Sequence, residues 1–204
     1  MHKPGTTLLE LVITMVIFGM VIFGFYNIQV FSDYQVVSSS RKAQLQNEAA
    51  LILEHMAKYL SNVTANPGSD AITFVNSSGV FSALRAYADS NANGMLDTDV
   101  DSWLEYNLSS KGVMTYCANL TSPGGASCQA GQSMVLSKKV ISNLTRDFVF
   151  NNTTNFLDAN LSLCWNPAVF FNTTGVPAPE LCGQPKNPRV QMKARIPLLS
   201  VSAN

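Results

Sequence analysis

The sequence is poor in charge and in histidine. Only 13% of its 204 residues are Asp, Glu, Lys or Arg, about half the share of a typical soluble domain. Thirteen basic residues balance thirteen acidic ones without forming a basic run, so bulk charge predicts no nucleic-acid partner. With only His2 and His55 and no recognisable nucleophile and base pair, the chain is predicted not to be an enzyme. His55 falls on the polar side of a helical pattern and is expected to be exposed.

Charge is absent altogether from one stretch near the N-terminus. Residues 11–32 contain no Asp, Glu, Lys or Arg, and as a helix they would span roughly the 30 Å of a bilayer core. The apolar region of an ordinary secretory signal is about 7 to 15 residues long and is followed by small residues. This stretch is longer and contains Phe25, Tyr26 and Asn27 near its end. We therefore expect a helix that crosses a membrane.

A single carboxylate precedes this apolar run. Glu10 follows a short leader that contains Lys3 and Gly5. An acid inside a membrane is costly unless it has a partner, which makes Glu10 a predicted functional residue. If the chain is cleaved after Gly5, the new α-amino group of Thr6 supplies a positive charge that can pair with Glu10 of a neighbouring chain.

These residues resemble the class III signal of type IV prepilins and type II secretion pseudopilins. The similar features are Lys3 in a short leader, Gly5 before the cleavage point, Thr7 at the second mature position, Glu10 as the fifth mature residue and the apolar run. The resemblance implies cleavage after Gly5 by an inner-membrane prepilin peptidase, methylation of Thr6, and docking into a filament through Glu10. The sequence departs from the family where Thr6 replaces the usual Phe, and no Pro interrupts the helix.

The segment after the apolar run is polar but keeps a helical repeat. Apolar residues at spacings of three and four predict an amphipathic helix that carries Leu45, Ala49, Ile52, Met56, Leu60 and Val63. Pro67 and Gly68 then end the helix. The predicted organisation is a leader at 1–5, a transmembrane or filament-core helix at 6–32, its amphipathic continuation at 33–63 and a β-rich globular head at 64–204.

The head contains short runs of aromatic and β-branched residues that predict strands. The segment 109–112 has the length of a hairpin connection between two of them. The predicted fold class is α+β, with an antiparallel β-sheet packed against the later half of the long helix, as in type IV pilins. The predicted strands are 72–75, 84–87, 103–108, 113–116, 148–150, 161–165 and 190–196.

One loop of the head has the pattern of a calcium site. Oxygen-bearing residues alternate and a Gly follows at the sixth position, as in the first half of an EF-hand loop. Val100 stands where that loop has a bidentate Glu, so another carboxylate would have to complete the shell. The alternative is a solvated turn held by its own Asn and Asp side chains. The predicted calcium ligands are Asp89, Asn91, Asn93, Met95, Asp97, Asp99 and Asp101.

Four cysteines lie in the head, namely Cys117, Cys128, Cys164 and Cys182. Disulfides require an oxidising compartment, which the predicted membrane topology provides. Sequential pairing would close two short loops, but four cysteines allow three connectivities. A zinc site is disfavoured because the paired C-x-x-C spacing is missing.

The resemblance implies a structural function. The head, with its Asn- and Asp-rich loop, the strand WLEYNL and a hairpin, is similar to those of larger minor pilins and pseudopilins of the W and J types. We expect a minor subunit of a type IV pilus, inserted in the bacterial inner membrane with its head in the periplasm and then assembled with other pilin subunits at the cell surface. The alternatives are a pseudopilin of a periplasmic type II secretion filament and a membrane-tethered ligand-binding or enzymatic head.

Overall fold

The computed structural model describes residues 7–64, 71–77, 81–91, 93, 95, 97, 100–109, 112–120, 133–151, 154–169 and 181–199. The chain divides into two compact units between Ser40 and Arg41. The described part of the first unit is helical from Leu8 onward. The second unit contains the rest of that helix and the strands.

The helices are α1 (Leu8–Leu60) and the short α2 (Leu144–Asp147). Helix α1 ends three residues before the predicted end at Val63, because Val63 and Thr64 are β-branched and pair with strand residues Ala88 and Tyr87 instead. The strands are β1 (Val63–Thr64), β2 (Ile72–Ser77), β3 (Phe81–Ala88), β4 (Ser102–Leu108), β5 (Met114–Leu120), β6 (Met134–Ser137), β7 (Phe148–Asn151), β8 (Phe156–Cys164) and β9 (Arg189–Pro197).

The strands form two antiparallel sheets where the sequence predicted one. In the first sheet the order is β1-β3-β4-β5-β6, and β2 pairs with the same strand, β3, as β1 does. In the second sheet the order is β7-β8-β9. The predicted hairpin joins β4 to β5, where Ser109 N–H donates to the Val113 carbonyl and Gly112 adopts a φ of 76°. That left-handed conformation suits glycine.

The predicted apolar repeat of α1 is confirmed as the helical side of the core. Its six residues, Leu45, Ala49, Ile52, Met56, Leu60 and Val63, are all buried. They belong to one hydrophobic cluster with residues from both sheets, such as Leu104 and Met114 from the first sheet and Leu157 and Leu161 from the second. The α+β class is therefore confirmed: the later part of α1, beyond Ser40, packs on antiparallel sheets within the second unit.

Candidate functional site

Glu10 lies in the first turn of α1, whereas the predicted processing residues Gly5 and Thr6 lie outside the described residues. Thr7 caps the helix, since its Oγ1 accepts a hydrogen bond from the Glu10 N–H at 3.4 Å. The spacing of Thr7 and Glu10 is that of a capping box, and a carboxylate in the first turn interacts favourably with the helix dipole. Local sequence thus fixes Glu10 at the helix start.

The Glu10 carboxylate has no hydrogen bond or ion pair with any residue that the structure describes. Two other polar side chains of the apolar run bond to their own helix: Thr14 Oγ1 donates to the Leu11 carbonyl at 2.9 Å, and Asn27 Nδ2 donates to the Phe23 carbonyl at 2.8 Å. Such bonds satisfy donors that lipid cannot satisfy. Within the described part of the chain, the Glu10 carboxylate at the start of this helix is therefore left without a partner.

The apolar side chains of the first unit are exposed on every side of the helix. From Leu8 to Phe31 the large apolar residues are between 47% and 83% exposed. A Cβ placed on Gly19 or Gly24 would meet nothing within 4 Å. A helix that is apolar all round belongs in a membrane or in the centre of a bundle. By length and hydropathy, with a mean of 2.5 in its most apolar window, α1 is able to cross a membrane.

The predicted calcium loop is held together by its own side-chain oxygens. The Asn93 N–H donates to Oδ1 of both Asp89 and Asn91 at 3.2 Å, and the Met95 N–H donates to Asn93 Oδ1 at 2.8 Å. Asp101, which is buried, closes the loop: its Oδ1 accepts from Ser90 N–H and its Oδ2 from Asp97 N–H, both at 2.8 Å. The bonds that the Asn91 and Asn93 side chains accept from the amides two residues on are those of Asx turns.

The structure brings Asp89 and Asp97 into the same loop as Asp101, while Asp99 lies outside the described residues. Among the described residues no three acidic, His or Cys side chains converge as a group able to hold a metal ion. Calcium binding stays a prediction. The EF-hand register fails at Val100. The structure adds that the next residue, Asp101, links the start of the loop at Ser90 to its later part at Asp97.

The structure contains a disulfide between two of the four cysteines, whose connectivity the sequence left open. Cys164, at the end of β8, is bonded to Cys182. The segment that carries Cys182 is also fixed by Asn187, whose Nδ2 donates to the Leu181 carbonyl at 3.1 Å. Cys117 is disulfide-bonded as well, and Cys128, the fourth cysteine, is not among the described residues.

Sequence reasoning missed a buried ion pair in the first sheet. The side chain of Glu105 on β4 is completely buried and accepts from Arg85 Nε on the neighbouring β3 at 2.6 Å. Its other oxygen accepts from Asn107 Nδ2 at 3.1 Å. The sequence signal was present, because an acid inside the apolar strand WLEYNL requires a partner. The identity of the partner could not be predicted, because the register between β3 and β4 is what places Arg85 opposite Glu105.

The expectation that His55 is exposed is wrong. It is half-buried, with its ring centroid 4.6 Å from those of Tyr59 and Tyr116 and its Nδ1 3.1 Å from the hydroxyl oxygen of Tyr106. Burial, followed by the nearby charge of Lys58, lowers the pKa of His55 below its ordinary 6.5. His55 lies on the polar side of the helical pattern, but Tyr106 and Tyr116 reach it from strands β4 and β5. Tyr59 covers it from its own helix.

No protein-family profile, curated protein or solved structure matches this chain. The likeness to prepilins therefore depends mainly on a few N-terminal residues, Lys3, Gly5, Thr7 and Glu10, with the apolar run behind them. Of these four, Thr7 and Glu10 are among the residues that the structure describes.

Proposed function

We propose that this chain is a minor subunit of a type IV pilus. A prepilin peptidase removes residues 1–5, the new N-terminus at Thr6 is methylated, and the subunit joins or primes a filament of other pilin subunits through its N-terminal helix. The single observation that carries this proposal is Glu10, a carboxylate that has no partner among residues 7–64 and the other described segments and that lies at the start of a helix whose apolar side chains are exposed all round.

Packing in a bundle of helices accounts for both the exposed apolar side chains and the Glu10 carboxylate. An all-round apolar helix can exchange lipid for neighbouring helices without losing burial, so packing in a filament costs it little. Lipid cannot pair with the Glu10 carboxylate, whereas the α-amino group of Thr6 in an adjacent processed subunit can. This ion pair stabilises one axial register between neighbouring helices, and it therefore sets the stagger of adjacent subunits in the filament.

The proposed route starts in the inner membrane. The chain is anchored there by one pass of α1 with its second unit in the periplasm, and it then moves into a filament at the cell surface. The disulfide between Cys164 and Cys182 supports this location for the second unit, because disulfides persist in the periplasm and rarely in the cytoplasm.

The test is the entry of Glu10→Ala into filaments, measured on filaments sheared from the cells that naturally carry the chain. Asp33→Ala is the matched control, because Asp33 is an exposed acid of the same helix beyond the apolar run. Leaving one member of a buried ion pair without its partner costs about 3–5 kcal/mol, so we expect incorporation to fall by at least about a hundredfold for Glu10→Ala and to be unchanged for Asp33→Ala. Both variants should stay in the membrane fraction.

Mass spectrometry of the filaments completes the test. We expect a mature chain that begins at a methylated Thr6. An intact Met1, or equal incorporation of the Glu10 and Asp33 variants, would contradict the proposal. If the chain is processed and Glu10-dependent but is found only in periplasmic filaments of a secretion system, the function is that of a pseudopilin.

A further inference from the structure

A cavity of about 500 Å³ lies on one face of the second sheet. In β8, Leu157 and Leu161 belong to the hydrophobic cluster, so Asp158 and Asn160, which alternate with them, point to the opposite face. Both line the cavity, together with residues of α2, β7 and β9. Small-molecule sites have volumes of about 300–1,000 Å³. The second sheet thus presents polar side chains to a space that a small ligand can fill.

The register of the sheet arranges these side chains in two rows. Asp158 lies between Val149 of β7 and Arg195 of β9, and Asn160 lies opposite Lys193 of β9. Alternate residues of a strand are about 7 Å apart, and this distance separates the two rows. A ligand that contacts both rows therefore has to span at least this length.

Two bidentate Arg–Asp pairs line the cavity. Arg195 donates through Nε and Nη2 to the two carboxylate oxygens of Asp158, at 2.8 and 3.1 Å. Arg146 donates to Asp147 in the same way, at 2.9 and 3.1 Å. Such fork-to-fork bonds orient both guanidinium groups, and Nη1 of each has no hydrogen bond with any residue that the structure describes. Each pair therefore offers spare donors beside carboxylate oxygens.

Two further donors of the cavity are unsatisfied in the described part of the chain. Lys193 has no ion pair or hydrogen bond there. Asn160 Oδ1 accepts from Gln191 Nε2 at 2.7 Å, whereas its Nδ2 has no acceptor. The hydrogen bonds from Arg195 lower the pKa of Asp158, so this carboxyl group is ionised near neutral pH. Three cations against two carboxylates leave the lining with one surplus positive charge and an excess of donors.

We propose that this cavity binds a sugar ring that carries one carboxylate. The carboxylate pairs with Lys193, the cation that no described acid compensates. The ring hydroxyls, each a donor and an acceptor, bond to the Arg–Asp pairs, which offer both functions side by side. Val149 is 58% exposed and provides an apolar contact for the C–H groups of the ring.

The two rows of the cavity select against simpler ligands. A phosphate or a short carboxylate pairs with Lys193 but is too small to reach the Arg195 pair in the other row at the same time. A neutral sugar leaves the surplus positive charge without a partner. The proposal concerns the second unit alone and does not depend on filament assembly.

The experiment compares two ligands that differ only at the carboxylate, methyl glucuronide and methyl glucoside. Binding to the full chain is measured by saturation-transfer NMR in an amine-oxide detergent, which contains neither sugar nor phosphate. We expect the glucuronide to bind about fivefold more tightly than the glucoside, as one partly exposed charge-assisted hydrogen bond allows. Acetate and inorganic phosphate, added as competitors at the concentration of the glucuronide, should not displace it.

Two variants identify the groups responsible. Lys193→Gln should remove the preference for the glucuronide, whereas Lys42→Gln, at an exposed lysine that does not line the cavity, should keep it. Asp158→Asn makes the cavity more positive but releases Arg195, so we expect both glycosides to bind severalfold more weakly. The pair of Asp158 and Arg195 is exposed, so this variant should fold, and a melting curve checks that it does.

Three results would overturn the proposal. The first is tighter binding of the glucuronide by Asp158→Asn, which would show attraction by charge alone. The second is displacement of the glucuronide by acetate or phosphate, which would show a site for any small anion. The third is a chain that binds neither glycoside saturably or binds both equally.

Discussion

The hydroxyl oxygen of Tyr106 lies 3.1 Å from Nδ1 of His55 and joins strand β4 to helix α1 across the core of the second unit. Tyr106 is completely buried, and a buried hydroxyl without a partner is destabilising. Its hydroxyl donates to the backbone carbonyl of His55 at 3.5 Å and is also within hydrogen-bond distance of the imidazole. Tyr59 and Tyr116 complete the cluster, with ring centroids 5.0 Å apart. Burial raises the pKa of Tyr116 to about 12 and also raises the pKa of Tyr106, so these two hydroxyls stay neutral and the imidazole is the group that titrates near neutral pH.

This contact predicts that stability depends on pH through His55. Its pKa is lowered in the folded state, first by burial and then by Lys58, so the unfolded chain binds a proton more readily. The stabilisation is therefore complete above the ordinary value of 6.5 and is lost as pH falls through 6.5 toward the folded-state pKa. We expect the denaturant midpoint of the full chain in detergent to fall over this range, and to fall less for His55→Gln. Identical pH profiles for the two chains would contradict the assignment.

A second prediction concerns the buried pair of Arg85 and Glu105. Arg85→Ala removes the cationic partner of a carboxyl group that is completely buried, and we expect the free energy of unfolding to fall by about 3 kcal/mol. Replacing both residues by Met should cost clearly less, because no buried charge remains. Both costs can be measured by chemical denaturation.

The control for this pair is Arg195→Ala, which breaks the exposed pair with Asp158 and should change stability little. If Arg85→Ala costs no more than this control, the ion pair does not provide the stabilisation that its burial predicts.

Local patterns in the sequence were sufficient to predict much of this fold. The repeat from Leu45 to Leu60 predicted the buried face of α1, and aromatic and β-branched runs predicted most strands, because both signals arise within a few residues. Strands β1 (Val63–Thr64) and β6 (Met134–Ser137) and the division into two sheets were missed. Met134 and Val135 are exposed, so β6 lacks an alternating apolar pattern, and sheet membership depends on pairing between distant segments.

The residues missed at the candidate sites share one cause. His55 meets Tyr106 across 51 positions of the chain, and Arg85 meets Glu105 across 20. No local period encodes such partners, because strand register and helix docking bring them together. Glu10 is the opposite case. Its importance could be predicted because its surroundings, Thr7 and the apolar run, are its immediate neighbours in sequence.

A third prediction concerns the disulfide of Cys164 and Cys182. It closes a loop with a sequence separation of 18, and loops of this size stabilise a fold by about 3 kcal/mol in the chain-entropy account. We expect the double variant Cys164→Ala, Cys182→Ala to lose an amount of this order in denaturant unfolding. Variants are preferable to a reductant, because reduction would also open the disulfide of Cys117. An unchanged midpoint would mean that Asn187 and its hydrogen bonds hold the segment without the disulfide.

A fourth prediction concerns the loop from Asp89 to Asp101. If its oxygens bind calcium, the ion binds only the folded chain and raises the melting temperature with concentration by mass action. Asp97→Ala should abolish that rise. Asp101→Ala should in addition lower the melting temperature in the presence of chelator, because Asp101 holds the Ser90 and Asp97 amides without any ion. Magnesium is the control ion, since it demands tighter octahedral geometry than this irregular loop offers. An identical melting temperature in excess calcium and in chelator would show that the Asx hydrogen bonds alone order the loop.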